Sequence, residues 1–411
     1  MISTIATISA LLLSVSILLI GNGLQGTLIS VRANLESFSD PVIGLMVSGY
    51  FAGYIAGSLF APFLIMRAGH IRAFAAFAAV AAAAALIQAM AVDPIVWIAF
   101  RVVAGFCFCG LYMVIESWLN EKTPSATRGQ IFSIYRIIDL GSNMAGQLLL
   151  TVADPMGFPL FCLVSILISL SLVPVAVTRA MAPSPLHAAR IRLRKLIRTS
   201  PLGLAGSFAV GLANGAFWGL APIFVQGTGH SVTTVAHFMS LTVLGGAVFQ
   251  WPIGFASDRF DRRKVLIITA FMAVIVGISL AFFWDTSVVV LLGLAVLYGG
   301  CIMPIYSLSV AHTNDYVAPT DFVEASGGLM LVFGIGATVG PFAASYAMHE
   351  LGGWGLFAYT AAIHGLLALF GLYRMTRRSS VPPADKEAFV SVLRTSPAVT
   401  ELDPRGGPGQ T

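Results

Sequence analysis

Long apolar stretches, separated by short polar breaks, occupy almost the whole chain. Twelve of them lie between the breaks: 5–30, 42–66, 73–91, 94–118, 129–151, 157–178, 201–226, 233–256, 265–284, 286–311, 325–349 and 352–373. Each is close to the roughly 20 residues that a helix needs to cross a bilayer core. A transmembrane β-strand would be about half as long and would alternate apolar with polar residues. The run from Ala75 to Leu86 shows no alternation. The pattern therefore predicts an all-α integral membrane protein with twelve transmembrane helices.

Composition agrees. The chain is 57% hydrophobic and only 10% charged, with a mean hydropathy of +0.88, against about 25% charged in soluble domains. The first span has no basic leader and no clear A-x-A site, so it is expected to stay as a helix rather than leave as a signal peptide. Cys107, Cys109, Cys162 and Cys301 all fall inside spans and read as small packing residues, not as disulfides or metal ligands. The net charge of +5 raises the question of nucleic acid, and the distribution of the positives answers it. Twenty of the 23 Lys and Arg residues lie in alternate loops and the tail, and only Arg32 lies opposite. That is the positive-inside pattern, so the basic side and both termini are expected in the cytoplasm. The run RIRLRK (190–195) would then meet anionic headgroups, not nucleic acid.

Residues 179–200 are the longest interior polar segment, and they divide the spans six and six. The expected organisation is an N-terminal bundle (1–178), a basic linker (179–200), a C-terminal bundle (201–375) and a disordered tail (376–411), whose Pro, Gly and scattered charge suit no packed core. The halves repeat. LIMRAGHIR (64–72) joins spans 2 and 3 as ASDRFDRRK (256–264) joins spans 8 and 9, so Arg67 and Arg259 stand 192 residues apart. Gly146-Gln147 and Gly340-Pro341 stand 194 apart. A duplicated six-helix unit is a common transporter plan, with the solute site between the halves.

Gly254, Asp258, Arg259, Arg262 and Arg263 resemble the loop signature G-x-x-x-D-R-x-G-R-R of the major facilitator superfamily, with Asp261 where that family usually has Gly. The first-half copy keeps Arg67, Gly69 and Arg72 but has Pro62 and Met66 in place of Gly and Asp. RVVAG (101–105) is similar to the span-4 signature R-x-x-x-G, and GLQGTLISVRA, GHIRAF and ESWLN resemble the YcaD-type bacterial branch. The resemblance covers about residues 5–375 and implies two pseudo-symmetric bundles that move solute by alternating access. It also implies that Asp258 approaches the start of span 5, where Arg128 could pair with it. The mirror contact would join the basic 2–3 loop (Arg67, Arg72) to the acidic start of span 11 (Asp321, Glu324). Together with Arg259 and Arg262, these residues form the expected cytoplasmic gate.

Ionisable residues at membrane depth are costly, and they usually line a cavity or relay. In span 5, Arg136, Asp139, Asn143 and Gln147 recur at helical spacing on one stripe. Asp139 lies about 15 Å from the helix start, near the midplane, where it can pair with Arg136 or take a proton. Span 4 aligns Arg101, Tyr112 and Glu116; the resemblance links Arg101 to proton coupling, and Glu116 could meet Arg136 or Arg128. A purely structural role, holding helices together, stays open for each. Spans 1, 4, 7 and 10 line the cavity in that superfamily, which suggests Asn22, Gln25, Asn214, Trp218, Tyr298 and Tyr306 as solute contacts.

The function expected is a secondary transporter of a small solute, with a proton gradient as driving force and no cofactor. Export of drugs or metabolites and import of an anionic solute are not separated: GIGATVGP (334–341) resembles an antiporter element, but it sits in span 11 rather than span 5. There is no Walker A sequence, no H-E-x-x-H and no G-x-S-x-G, so ATP drive and enzyme chemistry find no support. A non-transporting sensor or scaffold is the alternative of another class. Expected partners are the solute and membrane lipid, with the chain a monomer and no metal bound.

Overall fold

The computed structural model describes residues 2–124, 127–177, 192–283, 287–318, 321–382, 386–396 and 398, with side chains from Ile8 onward. Most of the linker (178–191), the end of the tail (399–411), and Ser125, at the expected start of span 5, lie outside the described residues. The first half contains α1 (Ile2–Leu35), α2 (Asp40–Ala68), α3 (His70–Met90), α4 (Pro94–Lys122), α5 (Arg128–Leu148) and α6 (Pro159–Val177). A short helix, α7 (Leu193–Thr199), precedes the second half. That half contains α8 (Pro201–Gly227), α9 (Val232–Arg259), α10 (Arg262–Phe282), α11 (Val288–Ile302), α12 (Pro304–Asn314), α13 (Phe322–Leu351) and α14 (Gly355–Arg377). The tenth expected span is α11 and α12 together, divided at Met303 because Pro304 has no N–H to continue the ladder.

Eleven stretches among the described residues are long and apolar enough to cross a membrane. The expected span missing from that set is the fifth, α5, which its own polar stripe keeps out. It nevertheless packs lengthwise between α1 and α9. Helix starts follow local chemistry. The Asp93 carboxylate accepts from the Ile95 and Val96 amides at 2.9 and 3.0 Å, capping α4, and prolines open α2, α4, α8 and α12. The two signature loops turn differently. Gly69 links α2 to α3 at φ 81°, which favours glycine. Asp261, at the matching place, keeps φ −56° and caps α10 by accepting from the Arg263 amide at 3.1 Å. The family's Gly is thus replaced by a cap.

Packing repeats with the sequence. In the first half α1 pairs with α5 and α6, α2 with α4, and α3 with α4 and α6. In the second, α8 pairs with α13 and α14, α9 with α11, and α10 with α11 and α14. Between the halves, α2 meets α13 and α5 meets α9. Glycines carry the tightest crossings. A Cβ on Gly53 would lie 1.9 Å from the Val102 carbonyl oxygen, and one on Gly105 would lie 1.9 Å from that of Tyr50. Gly245 and Gly299, offset by 192 and 194 residues, stand in the same relation to Val296 and Thr242, each at 1.9 Å. Helices that share a lipid solvent gain from such close backbone approach.

Gly299→Ala should therefore force α9 and α11 apart and cost about 1–3 kcal/mol, seen as a lower Tm in detergent. Gly293→Ala on the same helix meets open space and should leave Tm nearly unchanged. Equal Tm values for the two would contradict the packing argument.

Candidate functional site

A cavity of about 680 Å³ lies between the halves. At the end away from the termini the halves meet. Gly44 of α2 has no room for a Cβ against Ser345 and the Pro341 carbonyl of α13, and Asn34 of α1 donates to Gln226 of α8 at 3.1 Å. Toward the basic end, Pro62, Phe63 and Met66 of α2 and Val323 and Gly327 of α13 line the space instead.

The α5 stripe faces this cavity. Arg136, Asp139, Asn143 and Gln147 all line it, one helical turn after another. Arg136 Nη1 donates to Asp139 Oδ2 at 2.9 Å, and Asn143 Nδ2 donates to Asp139 Oδ1 at 3.2 Å. Arg136 also reaches the second half, donating to Gln250 Oε1 of α9 at 3.4 Å. Gln147 accepts from the hydroxyl of Thr27 on α1. The charges are therefore mutually neutralised and aimed at protein and cavity, with none left in hydrocarbon.

Arg101 also lines the cavity, its guanidinium 4.3 Å from the centre of the Tyr50 ring, a cation–π contact. Asn22 donates to the Tyr112 hydroxyl at 3.1 Å, and Asn22, Tyr112 and Trp218 all face the space. Four expected contacts do not. Gln25 is buried away from the cavity. Asn214 points at α11 and donates to the Ile302 carbonyl at 3.4 Å, leaving its helix neighbour Gly215 to line the space. Tyr298 sits in an aromatic cluster, its ring 5.2 Å from Phe217 and 5.4 Å from Phe357. Tyr306 is buried edge-on against Phe333, whose ring lines the cavity, at 5.6 Å. Among the described residues no cluster of His, Cys, Asp and Glu could hold a metal.

The acidic partners differ from expectation. Glu116 meets neither Arg136 nor Arg128; it accepts from the hydroxyls of Tyr135 at 2.7 Å, Thr395 and Ser396. Asp258 does not reach Arg128; it accepts from Arg262 at 3.0 Å and from the Phe389 amide at 2.9 Å. Arg262 is buried and also pairs with Asp315 at 3.1 Å. Burial pushes the Asp315 carboxyl up to about 6 against the pull of Arg262. Asp321 and Glu324 pair with Lys195 (2.7 Å) and Arg192 (2.6 Å) around α7, not with Arg67 or Arg72, which are exposed at the basic end. Arg259 is exposed too, its guanidinium 4.0 Å from the Phe255 ring centre.

The tail departs most from the sequence reading. Composition predicts disorder over 376–411, yet α14 runs to Arg377, and residues 386–396 and Ala398 lie against the bundle. Leu393, Arg394, Thr395 and Ala398 line the cavity itself. The alternation that marks strands and the periodicity that marks helices are both missing there, so no pattern signalled it.

A sequence model described as the Major Facilitator Superfamily matches residues 11–232 and 203–402. The MFS-type transporter YcaD of Escherichia fergusonii is 28% identical over 344 residues, covering 83% of this chain and 88% of that one. Its counterpart from Salmonella newport is 25% identical over 334 residues, covering 81% and 85%. Among solved structures, the nucleoside transporter NupG superposes with a TM-score of 0.77 at 14% identity, covering 90% of this chain and all of that one. A bacterial homolog of the human lysosomal transporter Spinster, inward-facing and occupied, gives 0.71 at 15%, covering 93% and 99%. A D-xylose–proton symporter gives 0.66 at 14%, covering 89% and 97%.

Removing either member of the Arg136–Asp139 pair strands a charge inside the bundle, at a cost of about 3–5 kcal/mol. Arg136→Ala and Asp139→Ala should each lower Tm in detergent, and the double variant should lose clearly less than their sum. Additive losses would show that the two do not act as a pair.

Proposed function

Because the chain belongs to the Major Facilitator Superfamily and is a multi-pass membrane transporter, we propose that it moves a small solute across a bacterial cytoplasmic membrane by proton-coupled alternating access. Both termini would lie in the cytoplasm, and the cavity described above would be the solute path, with the halves apart at its cytoplasmic end. The observation that carries this reading is the Arg136–Asp139 pair facing a cavity of about 680 Å³ between the halves.

The proposed coupling is competition at one carboxylate. With Asp139 ionised, Arg136 holds it at 2.9 Å. A proton arriving on Asp139 would cancel that attraction and free the Arg136 guanidinium to turn toward a solute or toward Gln250 of the other half. Solute binding and protonation would then shift the same two-state equilibrium between the halves. Arg101, Asn22, Tyr112 and Trp218 would supply the cation, the amide, the hydroxyl and the ring that orient the solute. Small residues at the helix crossings would let the halves rock without repacking each bundle.

Purified protein in proteoliposomes under an imposed pH gradient tests this, with a solute panel that starts from nucleosides and D-xylose, the solutes named for two proteins of the same fold. Gradient-driven movement of a panel member is expected. Asp139→Asn should abolish it while solute exchange without a gradient persists. Undiminished gradient-driven movement in Asp139→Asn would remove the proton role. If no member of a broad panel moves, the non-transporting sensor is favoured.

A further inference from the structure

We propose that the mouth of the cavity is a binding site for a peptide segment outside helix and sheet, that its ligand is the chain's own residues 386–396, and that occupancy closes the solute path at the basic end. The docking rests on the contacts below; its closing role rests also on the reading of the cavity as the solute path.

A segment outside helix and sheet has unpaired backbone donors and acceptors, and burying them is costly unless each finds a partner. Here the bundle supplies them. The Glu387 amide donates to Asp315 Oδ1 at 3.1 Å, and the Glu387 carbonyl accepts from Arg262 at 2.7 Å. The Phe389 amide donates to Asp258 Oδ1 at 2.9 Å, and the Val392 amide donates to Ser307 Oγ at 3.1 Å. The signature loop and the start of the α12–α13 connection thus grip main chain. This is recognition of main chain that belongs to neither helix nor sheet.

Side chains then set which segment fits. The Phe389 ring lies on Gly254, where a Cβ would come within 2.3 Å of it. The leading glycine of the signature is therefore also a seat for an aromatic ring. Deeper in, Ser391 accepts from Arg136 Nε at 3.2 Å, and the Arg394 guanidinium lies 5.0 Å from the Phe333 ring centre and 5.5 Å from that of Tyr306. Thr395 and Ser396 donate to Glu116. Val392, Leu393 and Ala398 are buried.

Two consequences follow from the position. The segment covers Arg136 from the basic end, so a solute arriving there must displace it. It also touches α4 and α5 in the first half and α9, α10 and α12 in the second. A wedge held by both halves prevents them from closing at that end. Docking would then hold the transporter in one form, and release would license the cycle.

The test uses the full chain with its four native cysteines changed to Ala. A reporter, Leu393→Cys, is labelled with a maleimide–polyethylene glycol in detergent. Docking predicts labelling about tenfold or more slower than at Ser380→Cys, which is exposed. Phe389→Asp, or Gly254→Leu on the bundle side, should bring the reporter up to the Ser380→Cys rate. Equal labelling of Leu393→Cys and Ser380→Cys in the otherwise unaltered chain would overturn docking. In proteoliposomes, removal of residues 386–411 should raise solute flux several-fold. Unchanged flux on that removal, with Leu393→Cys protected in the full-length chain, would overturn the closing role. Absence of flux from both chains would count against the transport reading, while the labelling result would still decide docking.

Discussion

The interaction on which the rest of the structure depends is the ion pair between Arg136 and Asp139 inside an apolar bundle. Two charges at that depth cannot face acyl chains, so α5 must turn its stripe inward. That requirement sets the rotation of α5. It brings α5 against α1, where Thr27 meets Gln147, and against α9, where Gln250 meets Arg136. A polar seam then runs between the halves, and the cavity follows it. The same stripe explains why α5 alone among the expected spans is too polar to qualify as a crossing by its own composition.

Much of this was legible in the sequence, for a physical reason in each case. The stripe was legible because Arg136, Asp139, Asn143 and Gln147 obey helical spacing, and nothing but a shared face satisfies four such residues at once. The repeat was legible from offsets near 192, and the structure extends it to the glycine pairs Gly53/Gly105 and Gly245/Gly299. Partner choice was not legible. The expected gate followed pseudo-symmetry, which assigns Asp258 to the other half. The structure instead pairs Asp258 with Arg262, one turn away on the next helix, and with a tail amide. Likewise Asp321 and Glu324 find α7, the nearest basic segment, ahead of the loop between α2 and α3.

The tail shows the limit of pattern reading most clearly. Residues 386–396 lack periodicity because their order comes from the surface they meet and not from their own repeat. Hydroxyls on Glu116, main chain on Asp258, Arg262 and Asp315, and a ring on Gly254 hold them. Tyr298 fails for a related reason. Tyr306 fails with it: Pro304 divides their span, and the two rings end in different surroundings, neither on the cavity.

The most direct test of the central claim is the water accessibility of α5 around the ion pair. In a chain with its native cysteines replaced and residues 386–411 removed, Asn143→Cys lies on the cavity stripe, and Ile137→Cys lies on the exposed apolar face outside it. In sealed vesicles, a small charged thiosulfonate added from the basic side should modify position 143 and spare position 137. Modification of 137 with protection of 143 would mean that the stripe faces away from water, and the account of a polar seam between two halves would be wrong.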